Sequence, residues 1–262
     1  MNTMYQKKPV LFAVIWIVVY VVIYGSAGIQ FEEAWLNYAV QSGVGLVILG
    51  ILLFYGKKHG FLAEWGFTRS TAAPRKMLYY LPMLLACTHN IWLGFGLRED
   101  SALATGLGIL AIGVLGPVLE ELILRSILFH AIARTNTRRA FWFAALSFGV
   151  GHLVNLFYGK EIVPTLLQVV YACCVGFCFT AVLYVGKSLL MPVIGHILFN
   201  TLSFFANQNA APLPDYLCIG IMCVLFIGYG CYILYVYRDT HPLQPVPIAQ
   251  NTNSVDNLQN LP

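Results

Sequence analysis

The chain has 262 residues, of which 59% are hydrophobic and only 10% are charged, and its mean hydropathy is +0.73. Soluble domains carry about a quarter charged residues, so this composition excludes an ordinary soluble globular protein. The formal net charge is +4, and the basic residues form no clustered patch of the kind that binds nucleic acid, so we expect no nucleic-acid partner.

The apolar residues fall into eight segments, each long enough to cross the hydrocarbon core of a bilayer as a helix. The sequence therefore predicts an all-α polytopic membrane protein with about eight transmembrane helices in one bundle. The fourth segment is longer than one perpendicular span requires, so we expect a tilt, a bend near Pro117 or a cytosolic extension. The eight segments are Val10–Gly28, Asn37–Tyr55, Met77–Phe95, Leu103–Ala133, Ala140–Phe157, Pro164–Val185, Ser188–Ala206 and Tyr216–Tyr237.

The basic residues outside these segments lie mainly on one side of the predicted bundle. If the amino terminus is cytoplasmic, only Arg98 and Lys160 lie on the opposite side. Cytoplasmic loops are enriched in Lys and Arg, so this bias predicts both termini in the cytoplasm. The short, loop-poor chain favours a bacterial plasma membrane, with the endoplasmic reticulum as the alternative. The cytoplasmic basic residues are Lys7, Lys8, Lys57, Lys58, Arg69, Arg75, Lys76, Arg134, Arg138, Arg139, Lys187 and Arg238.

One membrane domain, residues 10–238, is predicted between a cytoplasmic amino terminus, residues 1–9, and a cytoplasmic tail, residues 239–262. The tail is rich in Pro, Asn and Gln, which predicts disorder. The first segment resembles a signal peptide, but we expect it to be retained as a helix, because the orientation count works with it in place. The stretch Phe61–Lys76 mixes aromatic and charged residues, which predicts either a segment lying on the membrane surface or an ordinary loop with aromatic anchors.

Ionisable side chains inside the apolar segments carry the functional information, because each costs several kcal/mol in a bilayer. Glu120, Glu121 and Arg125 lie in the fourth segment, His152 in the fifth and His196 in the seventh. Glu121 and Arg125 are four residues apart and share one helix face, so the arginine can neutralise that carboxylate. Glu120 is left without a local counter-charge in an apolar setting, which suits a general acid or base.

Depth in the membrane predicts that the polar residues meet. Counted at about 1.5 Å per residue from the nearest cytoplasmic charge, Glu120, His152 and Asn200 lie about 20 Å deep and His196 about 14 Å. A carboxylate can deprotonate water, imidazoles can bind a divalent metal or polarise a carbonyl, and an asparagine amide can donate to an oxyanion. Together these groups suit hydrolysis of a peptide bond within the bilayer.

Three motifs occur in order on separate apolar segments. Residues 120–125 read E-E-x-x-x-R, residues 148–152 read F-x-x-x-H, and residues 196–200 read H-x-x-x-N. In this order they resemble the signature of the CPBP intramembrane proteases, the group that includes the CAAX prenyl endopeptidases and the bacterial Abi proteins. The resemblance spans residues 103–206, and this segment would be the catalytic core.

The resemblance implies an intramembrane endopeptidase and assigns a role to each motif residue. It implies that Glu120 activates the hydrolytic water and that His152 helps to hold this water or a metal. His196 and Asn200 would stabilise the oxyanion or complete the metal site. The implied substrate is a membrane-associated peptide or protein, with prenylated CAAX termini, bacteriocin-like leader peptides and anti-sigma or stress-related membrane proteins all open.

The resemblance also implies supporting residues and a cofactor. Glu121 and Arg125 match the supporting positions of the first motif. The family is described as metalloproteases, which implies a divalent metal, with zinc as the first choice, held by Glu120, His152 and His196. Direct binding of a metal and simple holding of the water both remain open.

Two other classes of function fit the same polar residues. A transporter or channel would use Glu120, Glu121 and the histidines to relay protons or to bind a cation, whereas an immunity or scaffold protein would keep them for assembly. The sequence lacks the paired broken helices and repeat symmetry typical of transporters. His130 is expected to pack at an interface, and His89 and Asn90 at most to line the cavity.

Overall fold

The computed structural model describes residues 3–96 and 100–239, and within them the fold is all-helical. The predicted all-α class is confirmed for this part of the chain, where the single β contact is an isolated bridge between Phe95 and Ala206. Residues 1 and 2, Arg98 and the predicted tail from residue 240 onward lie outside the described residues. The helices are α1 (Met4–Lys7), α2 (Pro9–Ala27), α3 (Ala34–His59), α4 (Leu78–Cys87), α5 (Ala102–Ala133), α6 (Thr137–Gly151), α7 (Ile162–Gly186), α8 (Leu190–Phe205) and α9 (Pro212–Val236).

Five helices, α2, α3, α5, α7 and α9, are long and apolar enough to cross a membrane. They identify a helical membrane protein. The other three predicted segments also contain helices, namely α4, α6 and α8, but these are short. α6 has 15 residues, which at about 1.5 Å per residue gives about 22 Å, less than the hydrocarbon thickness of about 30 Å.

The third predicted segment departs most from a single span. Leu78, Tyr79 and Tyr80 have φ angles of 48°, 51° and 61°, in the left-handed region that bulky residues rarely adopt. The regular helix that follows ends at Cys87, and only a short 3-10 turn, His89–Ile91, comes after it. Apolar composition over Met77–Phe95 therefore predicted a continuous helix that the backbone does not form.

Helix α5 is continuous over 32 residues but is not α-helical throughout. Two π-helical stretches, Ile109–Leu115 and Glu121–Leu128, flank a short α-helical turn, Gly116–Glu120. Pro117 lies in this turn, so the expected irregularity near it takes the form of widened helical turns on both sides. Such π turns are frequent at functional sites.

The stretch Phe61–Lys76 packs against the protein. Trp65 is completely buried, and its ring contacts the rings of Tyr5, Phe12 and Tyr55. Trp65 is thus an anchor within the protein, and the position of the segment relative to the membrane surface stays a prediction.

Helices α6 and α7 approach closely at two glycines. A Cβ atom at Gly149 would overlap the sulfur of Cys173, and one at Gly176 would overlap the carbonyl oxygen of Ala145. Gly151 has open space at the same position. Of the two glycines within the second motif, only Gly149 therefore allows the close helix contact that small residues permit in membranes.

Candidate active site

The four residues expected to react line one cavity of about 390 Å³. Glu120 comes from α5, His152 from the end of α6, and His196 and Asn200 from α8. Helix α2 closes another side of the same cavity. Its lining also includes Ile17, Tyr20, Val21, Tyr24, Gly25, Gln41, Ile112, Ile123, Leu124, Ser147, Phe148, Gly151, Val154, Asn155, Tyr158, Gln168, Tyr171, Ala172, Val175 and Phe199.

Both carboxylate oxygens of Glu120 face polar groups. The hydroxyl of Tyr20 donates to Oε1 at 2.5 Å, and Nε2 of His196 lies 3.5 Å from Oε2. Of the two adjacent glutamates, Glu120 therefore lines the cavity, whereas Glu121 is completely buried.

His196 lies between the two carboxylates. Its Nδ1 lies 2.8 Å from Oε1 of Glu121, so an Nδ1–H donates to that oxygen. A neutral ring of this tautomer presents the lone pair of Nε2 to Glu120. The two ring nitrogens of His196 thus face one oxygen of each carboxylate.

Glu121 and Arg125 form the ion pair that their spacing predicts. Nη1 of Arg125 donates to Oε1 of Glu121, and both side chains are completely buried. The guanidinium also stacks over Phe148, with Cζ 4.1 Å from the ring centroid. Among the described residues, Oε2 of Glu121 and Nε and Nη2 of Arg125 have no hydrogen-bond partner. Apart from the contact of Glu121 with His196, the two charged groups therefore depend on each other for stabilisation.

His152 and His196 are linked through one aromatic ring. His152 follows the last residue of α6, where the backbone tightens into a 3-10 turn, His152–Leu156. The ring of Phe148 meets His152 edge-on, with centroids 5.3 Å apart, and meets His196 edge-on at 5.2 Å. The first residue of the F-x-x-x-H motif thus packs between the imidazoles and the stacked guanidinium.

Asn200 is anchored by a carbonyl of α5. Its Nδ2 donates to the carbonyl oxygen of Ile112 at 3.1 Å, and Oγ1 of the neighbouring Thr201 donates to that of Gly113 at 3.5 Å. Pro117 follows these residues by five and four positions and has no N–H to give to either carbonyl. One N–H of the Asn200 amide is engaged in this way, which leaves the second for the cavity.

Three other polar residues singled out from the apolar segments, His130, His89 and Asn90, lie elsewhere. Nδ1 of His130 lies 2.8 Å from the carbonyl oxygen of Ser126, and the ring of His89 stacks on Phe199 with centroids 4.7 Å apart. Asn90 donates to the carbonyl oxygen of Phe199 at 2.8 Å. His130, His89 and Asn90 are all absent from the cavity lining.

Sequence reasoning missed several polar residues of the cavity, above all Tyr20. Tyr24 lines the same wall of α2, and Gln168 lies on another wall, where its Oε1 accepts from Nδ2 of Asn155 at 2.8 Å. A single observation could have suggested them: each is a polar side chain within or next to an apolar segment. Their neutrality makes them inexpensive in a membrane, so they do not stand out as the glutamates do.

The expected metal ligands do not form a recognisable metal site. Within residues 3–96 and 100–239, no group of three or more His, Cys, Asp or Glu side chains is placed to hold a metal ion. This includes the expected set of Glu120, His152 and His196. A divalent metal held by Glu120, His152 and His196 therefore stays a prediction.

Comparison with known proteins identifies the segment that carries these residues. Residues 102–202 match the family model of the Rce1-like type II CAAX prenyl endopeptidases. The match begins at the start of α5, ends within α8 and includes all three motifs, so the resemblance inferred from the motifs is confirmed. No curated protein gives a match, and no solved structure does so either.

Proposed function

Because residues 102–202 belong to the Rce1-like type II CAAX prenyl endopeptidase family of the CPBP/Abi group, we propose that the protein is an intramembrane endopeptidase that uses Glu120 to activate water. Family membership implies a protease that acts on membrane proteins. The observation that carries the proposal is the single cavity lined by Glu120, His152, His196 and Asn200.

The proposed reaction begins with proton transfer from water to Glu120. The water oxygen forms a bond to the scissile carbonyl carbon, and the carbonyl oxygen becomes an oxyanion. The free N–H of Asn200 and the ring of His152 would donate to that oxyanion, a type of stabilisation worth about 10²–10³ in kcat for a single donor. Glu120 then gives its proton to the leaving amine nitrogen as the C–N bond breaks.

His196 would keep Glu120 ready for both proton transfers. Its ring is fixed at Nδ1 by Glu121, which in turn is held by Arg125. Nε2 of His196 faces Oε2 of Glu120 at 3.5 Å and would hold the carboxylate in place for both transfers. The proposed steps use the side chains of the cavity.

The proposed substrate is a membrane-associated or lipidated peptide. Apolar side chains of α2, α5 and α7 line much of the cavity, among them Val21, Leu124 and Val175, and they would accept an apolar substrate segment better than a soluble peptide. We further propose that the eight helical segments form one bundle in a plasma membrane, with both termini in the cytoplasm.

The test is cleavage by the purified full chain in liposomes. The probe is a fluorophore–quencher peptide with a farnesylated C-terminal Cys-aliphatic-aliphatic-X sequence, compared with the same peptide without the lipid. Glu120→Gln is expected to lower kcat by about 10²–10⁴-fold, which leaves no detectable cleavage. His152→Ala and His196→Ala should likewise show no detectable cleavage. His59→Ala, which changes an exposed histidine at the end of α3, is the matched control and should retain activity.

Circular dichroism and size-exclusion chromatography show whether each variant remains folded. Full activity in folded His152→Ala protein would overturn the proposed site. If the wild-type chain and Glu120→Gln give the same peptide products, the endopeptidase function itself fails. A proton-flux measurement on the same liposomes identifies a transporter, because only a proton carrier would lose flux in Glu120→Gln.

A further inference from the structure

We propose that Tyr20 is a positioning residue for Glu120, so that helix α2 is part of the active site. The inference rests on the proposed function and adds to it a residue that none of the three motifs contains. Tyr20 precedes Glu120 by 100 positions and lies outside the segment matched by the family model.

The contact between the two side chains is direct. The Tyr20 hydroxyl donates to Oε1 of Glu120, on the oxygen opposite the one that faces His196. The terminal torsion of a glutamate side chain is broad and roughly two-fold, so the carboxylate alone would sample many orientations. A hydrogen bond on Oε1 fixes that torsion and directs Oε2 toward Nε2 of His196.

Tyr20 is itself held in place by its neighbour one helical turn later. The rings of Tyr20 and Tyr24 stack with centroids 5.1 Å apart and an angle of 19° between their planes. The Tyr24 hydroxyl donates to the carbonyl oxygen of Ala111 at 2.6 Å. Ala111 belongs to the same helix as Glu120. Each of the two tyrosines of α2 therefore donates a hydrogen bond to α5.

The backbone of α2 changes where these tyrosines lie. Val19–Tyr24 is π-helical, between the α-helical stretches Pro9–Val18 and Gly25–Ala27. The widened turn carries both tyrosine rings on the side of α2 that faces the cavity, as their shared place in its lining shows.

The chemistry predicts an effect on turnover and not on binding. The only hydroxyl proton of Tyr20 is used by the carboxylate, and phenylalanine keeps the ring that lines the cavity. Loss of the hydroxyl therefore leaves substrate contacts unchanged but lets the base rotate away from the water. Misplacement of a reacting group by about 1 Å can cost about 10²-fold in rate, so we expect kcat of Tyr20→Phe to fall by about ten- to hundredfold.

The experiment compares Tyr20→Phe with Tyr229→Phe in liposomes, with the farnesylated fluorogenic peptide described above as the probe. Tyr229 is a matched control because it is buried in α9, lies outside the cavity lining and donates its hydroxyl to the carbonyl oxygen of Met77 at 2.7 Å. Tyr20→Phe should lower kcat and leave KM within about twofold. Tyr229→Phe should change the melting temperature only.

Infrared spectroscopy gives a readout that does not depend on turnover. The carboxyl stretching band of Glu120 is assigned by its disappearance in Glu120→Gln, and it should shift in Tyr20→Phe but not in Tyr229→Phe. An unshifted band, or a shifted band with wild-type kcat, overturns the role of Tyr20 while the proposed function stands. If the wild-type chain does not cleave the peptide and Glu120→Gln changes nothing, the proposed function and the role of Tyr20 both fall.

Discussion

Replacing Arg125 by methionine should destabilise the protein strongly, because it leaves the buried carboxylate of Glu121 without its cation. Both side chains are completely buried, and the guanidinium also stacks over Phe148. Among the residues that the structure describes, His196 would remain as the hydrogen-bond partner of Glu121. Methionine keeps an apolar side chain of similar length, so the change removes mainly the charge.

Removal of one partner from a buried ion pair costs about 3–5 kcal/mol. For a chain of this size, about 2–4 °C of melting temperature corresponds to 1 kcal/mol, so the expected decrease is between about 6 and 20 °C. Arg134 is the matched control, because its pair with Glu64 is partly exposed, with side-chain accessibilities of 22% and 34%. Arg134→Met should cost about 1 kcal/mol or less.

The measurement is thermal unfolding of the purified variants in one detergent, followed by circular dichroism. The double variant Glu121→Gln with Arg125→Met removes both charges and should recover most of the lost stability. Cleavage by Arg125→Met should be lower than cleavage by the wild type, because Glu121 no longer holds His196 in a fixed position. The reasoning is refuted if Arg125→Met melts no lower than Arg134→Met, or if the double variant is no more stable than Arg125→Met.

Gly149→Ala should destabilise the contact of α6 with α7 by about 1–3 kcal/mol, because its Cβ would overlap the sulfur of Cys173. Gly151→Ala meets open space and should melt as the wild type does; equal melting temperatures for the two variants would contradict the packing. Burial and then the Glu64 carboxylate raise the pKa of Tyr5, so the folded chain keeps a proton that the unfolded chain loses near pH 10. The stability of the wild type relative to Tyr5→Phe should therefore be constant below about pH 9 and fall as the pH rises above about 10, and a difference that does not change with pH in melting experiments would contradict this.

The ionisable part of the site could be predicted from the sequence because charges in a membrane are costly. The interval of four residues between Glu121 and Arg125 determined their pairing without any knowledge of the fold. Depth counted along three helices brought Glu120, His152 and Asn200 to one layer, with His196 one turn nearer the cytoplasm, and all four line one cavity. These inferences use distances along a helix, which sequence numbers give directly.

Tyr20 could not be predicted in this way. The chain contains 15 tyrosines, and a neutral phenol is common in membrane segments, especially near the interface. Which of the 15 meets Glu120 depends on how α2 packs on α5, and this contact joins residues 100 positions apart. Hydropathy likewise finds apolar residues but does not detect the left-handed turn at Leu78–Tyr80 that shortens the third segment.

The way α8 is attached to α5 follows from a single imino acid. Pro117 cannot donate a backbone hydrogen bond, and an unsatisfied carbonyl is costly where no water is present. The carbonyls of Ile112 and Gly113, five and four residues earlier, instead accept from Asn200 and Thr201 of α8. The missing N–H of Pro117 thus leaves a carbonyl that holds the Asn200 amide in the cavity that Glu120 also lines.

Helix α2 also forms a hydrogen bond to the π-helical stretch Ile109–Leu115 of α5. The hydroxyl of Tyr24 donates to the carbonyl oxygen of Ala111, the residue directly before Ile112. The carbonyls of one widened turn therefore orient both the tyrosine pair that holds the base and the amide proposed to meet the oxyanion. Since one of these partners lies on α2, residues 102–202 alone contain the reactive groups but not the full set of contacts that orient Glu120.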